Sequence, residues 1–397
     1  MADRSATPAA ERVHIAFFGR RNAGKSSLVN ALTGQSVAIV SPVAGTTTDP
    51  VRKSMELLPL GPVVMIDTPG LDDEGEVGSL RVGRALRELN RADIAVLVVD
   101  AAAGMADEDR ALLKRFEQKG LPHLTVFNKC DLRAVSCGEG ELAVSAHTGE
   151  GVEALKEALG RLVRDGEGGK KLLGDLLEAG DLVVLVAPID ASAPKGRLIL
   201  PQVRAIRDIL DAHAACAVVQ PRELPALLAK AGRPRLVITD SQAFGTVKGM
   251  VPEDVPLTSF SILFARFKGV LESAVRGAEA VSTLRDGDKV LICEGCTHHR
   301  QCEDIGTVKL PGWIRRFTGA EPQFAFTSGG DFPDDLSPYK LVVHCGGCML
   351  TEREMRCRRG LAADSGVPFT NYGTLIAHMN GILRRSLEPF PEYAKKG

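Results

Sequence analysis

The 397-residue chain is 44% apolar and 25% charged, the balance of an ordinary globular protein, which excludes a wholly disordered or collagen-like chain. A soft prior of roughly 150 residues per domain gives two or three domains, and three is the expectation. The formal net charge is −1 with 5% aromatic residues, and from Leu271 onward 16 Lys plus Arg face 16 Asp plus Glu, so phosphate-backbone binding by a dedicated basic surface is disfavoured.

In chain order, residues 1–11 read as a mobile tail, because "MADRSATPAAER" lacks the apolar core of a secretory signal. The longest apolar runs, "IAVLVVDAAAG" and "LVVLVAP", fall short of the roughly 20 residues of a membrane span. The expected compartment is the cytoplasm, where the nine cysteines stay reduced and a cysteine cluster implies metal or redox chemistry.

Residues 12–170 alternate short apolar runs ("VHIAFFG", "PVVMID", "IAVLVVD", "HLTVFN") with stretches of helical period, the grammar of βαβ units around a mostly parallel sheet. "GRRNAGKSS" puts Gly19, Gly24, Lys25 and Ser26 at the spacing of a P-loop. Its backbone N–H groups close around phosphates, Lys25 neutralises them, and the Ser26 hydroxyl ligates Mg²⁺. "GTTTDP" supplies Thr47, and "DTPG" supplies Asp67 for Mg²⁺ through water and Gly70 for the γ-phosphate. Lys25, Thr47, Asp67 and Gly70 are therefore the candidate catalytic set of a switch GTPase. "FNKCD" offers Asn128 and Asp131 for guanine, whose edge presents N–H donors to a carboxylate, and "SAH" offers a backbone N–H near Ser145 and Ala146. Ala23, Ser27, Thr46 and Lys129 complete the candidate GTP contacts.

These five motifs resemble the TrmE-Era-septin group of GTPases over residues 13 to about 165. The resemblance implies that Asn22 stands where several members ligate a K⁺ ion that assists hydrolysis. Thr48 and His147 depart from the group's commoner Arg and Lys, which implies modest nucleotide affinity. Leu71 replaces the Gln that positions water in Ras-like enzymes, so slow, K⁺-stimulated hydrolysis is expected.

After the Gly-rich, charged "RDGEGGKK", residues 171–270 repeat α/β grammar without a chemical cluster, and are expected to form an interaction or dimerisation domain in a homodimer. Residues 271–397 form a third α/β region in which "DKVLICEGCTHH" and "YKLVVHCGGC" end strands in cysteines, so both groups fall on one sheet rim. Two readings of Cys293, Cys296, His298, His299, Cys302, His344, Cys345 and Cys348 compete. One is a structural zinc on Cys293, Cys296, Cys345 and Cys348; the other is an iron-sulfur cluster.

"CTH", about 45 residues and then "HCGGC", joined to a TrmE-like domain and a siteless middle domain, resembles the iron-only (FeFe) hydrogenase maturation GTPases, the HydF family. That resemblance implies a 4Fe-4S cluster on Cys296, Cys345 and Cys348, with His298 the candidate for the remaining iron, His299 and His344 second choices, and Cys293 and Cys302 free thiols. It further implies a scaffold that takes a di-iron precursor from radical-SAM maturases and delivers it to apo FeFe-hydrogenase, with GTP as the switch. The alternative is an RNA- or ribosome-directed GTPase carrying a zinc module, for which the neutral last domain and the scarce aromatics are unfavourable.

Overall fold

Successive residues of β1 (Val13–Phe18) point to opposite faces of a sheet, and both faces are apolar: Ile15 and Phe17 enter one core, Ala16 and Phe18 the other. A strand buried on both sides needs cover on both sides. The structure, a computed structural model, describes residues 11–34, 50–58, 60–70, 85, 88–166, 170–189, 198–295 and 304–394. The chain divides into two compact units, Met1–Gly169 and Lys170–Gly397.

In the first unit, β1 is joined by β2 (Val51–Leu57), β3 (Gly61–Asp67), β4 (Ile94–Asp100), β5 (His123–Asn128) and β6 (Glu141–Val144) in the order β2-β3-β1-β4-β5-β6. Only the β2–β3 pair is antiparallel. α1 (Lys25–Thr33) and α3 (Val152–Gly166) cover one face through Leu28, Leu32, Leu155 and Leu159. α2 (Asp107–Gln118) covers the other through Leu112 and Phe116, whose ring lies 5.5 Å from that of Phe18. Each fully buried Leu or Phe contributes about 1.5–3 kcal/mol, so these faces supply the main driving force for the unit.

The second unit holds two four-stranded, all-parallel sheets. One comprises β7 (Leu182–Val186), β8 (Ala215–Val219), β9 (Leu236–Thr239) and β10 (Leu257–Ser259) in the order β10-β9-β7-β8. The other comprises β11 (Lys289–Glu294), β12 (Gln323–Ser328), β13 (Leu341–His344) and β14 (Phe369–Asn371) in the order β12-β11-β13-β14. One continuous apolar core, from Leu172 to Phe390, serves both sheets. α4 (Phe260–Phe267) and α5 (Leu271–Glu279) lie within it, and α6 (Glu352–Asp364) and α7 (Tyr372–Met379) follow β13 and β14. Among the described residues no helix is long and apolar enough to cross a membrane.

Candidate functional site: a nucleotide loop and a cysteine rim

The turn between β1 and α1 is wound tightly enough that its backbone leaves the ordinary regions. Gly24 has φ 89° and Asn22 has φ 59°. A Cβ on Gly24 would lie 2.2 Å from Asn128 Nδ2, so no other residue fits there without displacing Asn128. Lys25 Nζ donates to the carbonyls of Gly19 and Arg20, each at 2.8 Å, which holds the ammonium within the loop. Arg20 is itself tied to Asp109 Oδ2 at 3.1 Å and to the Gly104 carbonyl at 2.7 Å.

At the carboxyl end of β3, Asp67 Oδ2 accepts a 2.5 Å hydrogen bond from the Ser26 hydroxyl, while its Oδ1 is buried without a hydrogen-bond partner among the described residues. Burial pushes the Asp67 carboxyl up, against the pull of the Ser26 hydrogen bond and the Lys25 charge. A buried carboxylate with one orphaned oxygen beside a serine hydroxyl fits a hard cation such as Mg²⁺, for which oxygen ligands are required. The neighbouring Thr68 hydroxyl donates to the Phe17 carbonyl at 2.6 Å and pins β3 to β1.

Asn128, 2% exposed, is bonded to backbone through both ends of its amide. Its Nδ2 donates to the Ala23 carbonyl at 3.0 Å and its Oδ1 accepts from the Ala146 N–H at 3.0 Å. It therefore clamps the phosphate loop to the loop that follows β6, and Asp131 nearby is exposed. Lys129, in the left-handed region with φ 66°, donates to the Asn22 carbonyl at 2.8 Å and to Asp100 Oδ2 at 2.6 Å. Ser145 is fully buried and its hydroxyl accepts from the Thr148 N–H at 3.1 Å, shaping the turn that presents Ala146. Gly19, Asn22, Ala23, Gly24, Asp67, Gly70, Asn128, Lys129, Asp131, Ser145 and Ala146 lie on loops or strand ends at the carboxyl edge of this sheet, and Lys25, Ser26 and Ser27 in the first turn of α1. Thr46, Thr47, Thr48 and Leu71 lie outside the described residues.

In the second unit the register brings Cys293, His344 and Asn371 side by side on β11, β13 and β14. One residue further, Cys345 leaves its strand, its N–H still bonded to the Cys293 carbonyl at 2.8 Å. The Cys345 sulfur accepts two backbone N–H bonds, from Gly295 at 3.0 Å and from Gly347 at 3.4 Å. Burial pushes the thiol up, and these two donors pull it back. Such donors favour a thiolate over a thiol, and a metal completes the deprotonation. Gly347, with φ 67°, makes the turn; a Cβ there would meet Met355 Sδ at 2.6 Å. Cys348 follows, half-buried, and Thr351 caps α6 by accepting from the Glu354 N–H at 3.2 Å. Lys268, at the end of α4, donates to the Leu350 carbonyl at 2.6 Å and fastens the loop from behind. Cys345 and Cys348 on a short loop with N–H donors aimed at sulfur fit an iron-sulfur group by donor chemistry. Cys296, His298, His299 and Cys302 lie outside the described residues.

Cys293, one of the four thiols of the zinc reading, is fully buried in β11, and burial pushes its thiol up to about 12. His344, a second-choice ligand by sequence, is engaged at both nitrogens: Arg358 donates to Nε2 at 3.0 Å, which leaves Nδ1–H to donate to the Cys345 carbonyl at 2.9 Å. Burial and then the Arg358 charge drive its pKa down to about 3. The sequence reading missed Arg358 altogether. This guanidinium, 1% exposed, bonds Glu354 at 2.9 Å, the Gly329 carbonyl at 2.7 Å and His344, and lies over the Phe332 ring. The i, i+4 acid-then-base spacing of Glu354 and Arg358 was visible, but that pattern ordinarily marks a solvated helix face.

Family models match residues 14–129 (50S ribosome-binding GTPase), 172–269 (hydrogen maturase F dimerization domain) and 272–389 (hydrogen maturase F tetramerization domain). Similar proteins include the tRNA modification GTPase MnmE of Dechloromonas aromatica, 36% identical over 157 residues, 38% of this chain and 35% of that protein. MnmE of Chromobacterium violaceum is 40% identical over 156 residues, 38% of this chain and 34% of that protein. The chain thus spans about a third of the length of these relatives. Among solved structures, a variant of Aquifex aeolicus Era bound to GDP·AlF₄⁻ aligns at 20% identity over 55% of this chain and 98% of that one, with a TM-score of 0.36. NFeoB of S. thermophilus bound to GDP·AlF₄⁻ and K⁺ aligns at 23% identity over 37% of this chain and 60% of that one, with a TM-score of 0.30; neither score carries an argument about function. With a GTPase domain followed by the dimerization and tetramerization domains of hydrogen maturase F, which together take up residues 172–389, the chain belongs to the hydrogen maturase F family.

Proposed function

We propose that the chain is a GTP-switched carrier that holds a 4Fe-4S cluster on Cys296, Cys345 and Cys348, with His298 on the exchangeable iron. It works in the cytoplasm as a homo-oligomer, accepts a di-iron precursor from radical-SAM maturases and delivers it to apo FeFe-hydrogenase. The observation that carries this reading is the Cys345 sulfur with its two N–H donors, placed beside Cys348 at the carboxyl edge of a parallel sheet. When bound, the cluster supplies an iron with a replaceable ligand. The chain's part is to hold sulfur ligands in fixed geometry and to bury them from water. GTP and Mg²⁺ at Lys25, Ser26, Asp67 and Gly70, with Thr47 from the switch loop, gate partner binding, since a γ-phosphate orders loops and carries no redox chemistry. K⁺ at Asn22 assists hydrolysis.

The deciding experiment is anaerobic purification with iron and sulfide analysis. A brown protein that loses its visible absorption in Cys345→Ser supports the reading; a colourless chain with one zinc ends it. Hydrolysis rates compared in KCl and NaCl test the K⁺ assignment, which equal rates would remove.

A further inference from the structure

The two edges of the β12-β11-β13-β14 sheet are finished differently. At one edge β14 is buried along its whole length and α5 is pressed against it. A Cβ on Gly277 would lie 2.1 Å from the Phe369 carbonyl oxygen, and the Thr370 hydroxyl donates to the Ala274 carbonyl at 2.8 Å. At the other edge β12 pairs with β11 from Gln323 to Ser328, and no described strand pairs with its outer side.

Gln323 and Gly329 point their N–H groups inward, to the Asp288 and Glu294 carbonyls at 2.8 and 2.9 Å. Backbone groups alternate along a strand, so Phe324, Phe326 and Ser328 turn their N–H and C=O groups outward. Such a row is a template for another strand, and edges that stay bare are blunted by charge, proline or a bulge. β12, "QFAFTS", has none of the three: it holds no charged residue or proline, and its register with β11 is unbroken. The Phe326 ring is 37% exposed. Phe324, on the same face, is half-buried with the Arg315 guanidinium 5.2 Å from its ring centre, and Arg315 is itself balanced by Glu321 at 2.7 Å.

We propose that the open edge of β12 is an interface with a second copy of this chain, the two β12 strands pairing antiparallel across a two-fold axis at Phe326. Such a contact is self-complementary and closed. The backbone selects the register. An axis at Phe326 sets this residue opposite the partner subunit's Phe326, and Phe324 opposite the partner subunit's Ser328, so each outward N–H meets a carbonyl. An axis at Ala325 would set Ser328 opposite a proline, the partner subunit's Pro322, which has no N–H to give. An axis at Thr327 would run past the end of β12. The facing phenylalanines then form a cross-strand aromatic pair and bury surface that each copy exposes alone. The occupant is a second copy because residues 272–389 match a tetramerization domain and residues 172–269 a dimerization domain. A two-fold contact at β12 turns a dimer made through the middle domain into a tetramer. It uses no cysteine, so it stands independently of the cluster reading.

The test is the mass of the reduced full chain by sedimentation at micromolar concentration, for wild type, Phe326→Lys and Phe326→Glu. Wild type should sediment as a tetramer and each variant at half that mass, because like charges then face each other across the axis. Far-UV circular dichroism should be the same in all three, which separates lost association from lost folding. An equimolar mixture of the Lys and Glu variants should recover the tetramer, since opposite charges meet at position 326 only when that position faces itself. A wild type no larger than a dimer, folded variants that stay tetrameric, or a mixture that stays dimeric each overturns the proposal.

Discussion

Replacing Arg358 by Met should uncouple the cysteine strand from the helix behind it, at a cost that can be worked out from its partners. The guanidinium is 1% exposed, and its carboxylate partner Glu354 is 6% exposed. Removing one member of a buried pair leaves an uncompensated charge, which typically costs about 3–5 kcal/mol. His344 Nε2 and the Gly329 carbonyl also lose their donor, which adds up to about 1–3 kcal/mol each where water cannot replace it. Relaxation absorbs part of this, so a loss on the order of 4 kcal/mol is expected, a large fraction of a typical 5–15 kcal/mol domain stability. The chain's single tryptophan, Trp313, packs against the core of the second unit, so its fluorescence during urea unfolding reports on that unit alone. With a slope of about 2 kcal/mol per molar, the midpoint should fall by about 2 M in metal-free, reduced protein. The double variant Arg358→Met with Glu354→Leu removes both charges and should regain at least about half of the loss. A midpoint shift under about 0.5 M, or a double variant no better than the single one, would refute the reasoning.

The remaining predictions concern both units. His344 is neutral in the fold with a pKa near 3 against 6.5 when unfolded, so below pH 6.5 the unfolded chain binds the extra proton. Stability of the metal-free protein should therefore fall as pH drops from 6.5 toward 3, by up to about 1.4 kcal/mol per unit from this group, and His344→Gln should flatten that slope. Cys293→Ala should keep its iron, with a stability cost of about 1 kcal/mol for the lost buried sulfur, whereas Cys345→Ser should not; equal iron loss in both would contradict the burial argument. Asp131→Asn replaces an acceptor with a donor at the guanine edge and should move preference from GTP toward XTP by at least about 10-fold, measured by competition binding. Gly24→Ala forces a Cβ to within 2.2 Å of Asn128 Nδ2 and should cost at least about 100-fold in GTP affinity by calorimetry while leaving the second unit's urea midpoint unchanged.

Much of the first unit was legible in the residues because its chemistry is local. Gly19, Gly24, Lys25 and Ser26 sit within one turn, and a turn that follows an apolar strand and opens a helix can bind phosphate in few other ways. What the residues did not disclose there is the division of labour. Asn128 reads as a guanine contact by motif, and the structure adds that it clamps two loops, because the carbonyl of Ala23 and the N–H of Ala146 meet only after β1, β5 and β6 have paired.

In the second unit the balance reverses. The cysteine spacing determined which thiols to suspect and on which strand ends they stand. Only the parallel register decided that Cys293 turns into the core and that His344 spends both nitrogens on Arg358 and its own strand end. Periodicity along a strand specifies which face a side chain takes; it cannot specify what stands beside it, because neighbours across parallel strands are tens of residues apart in the chain.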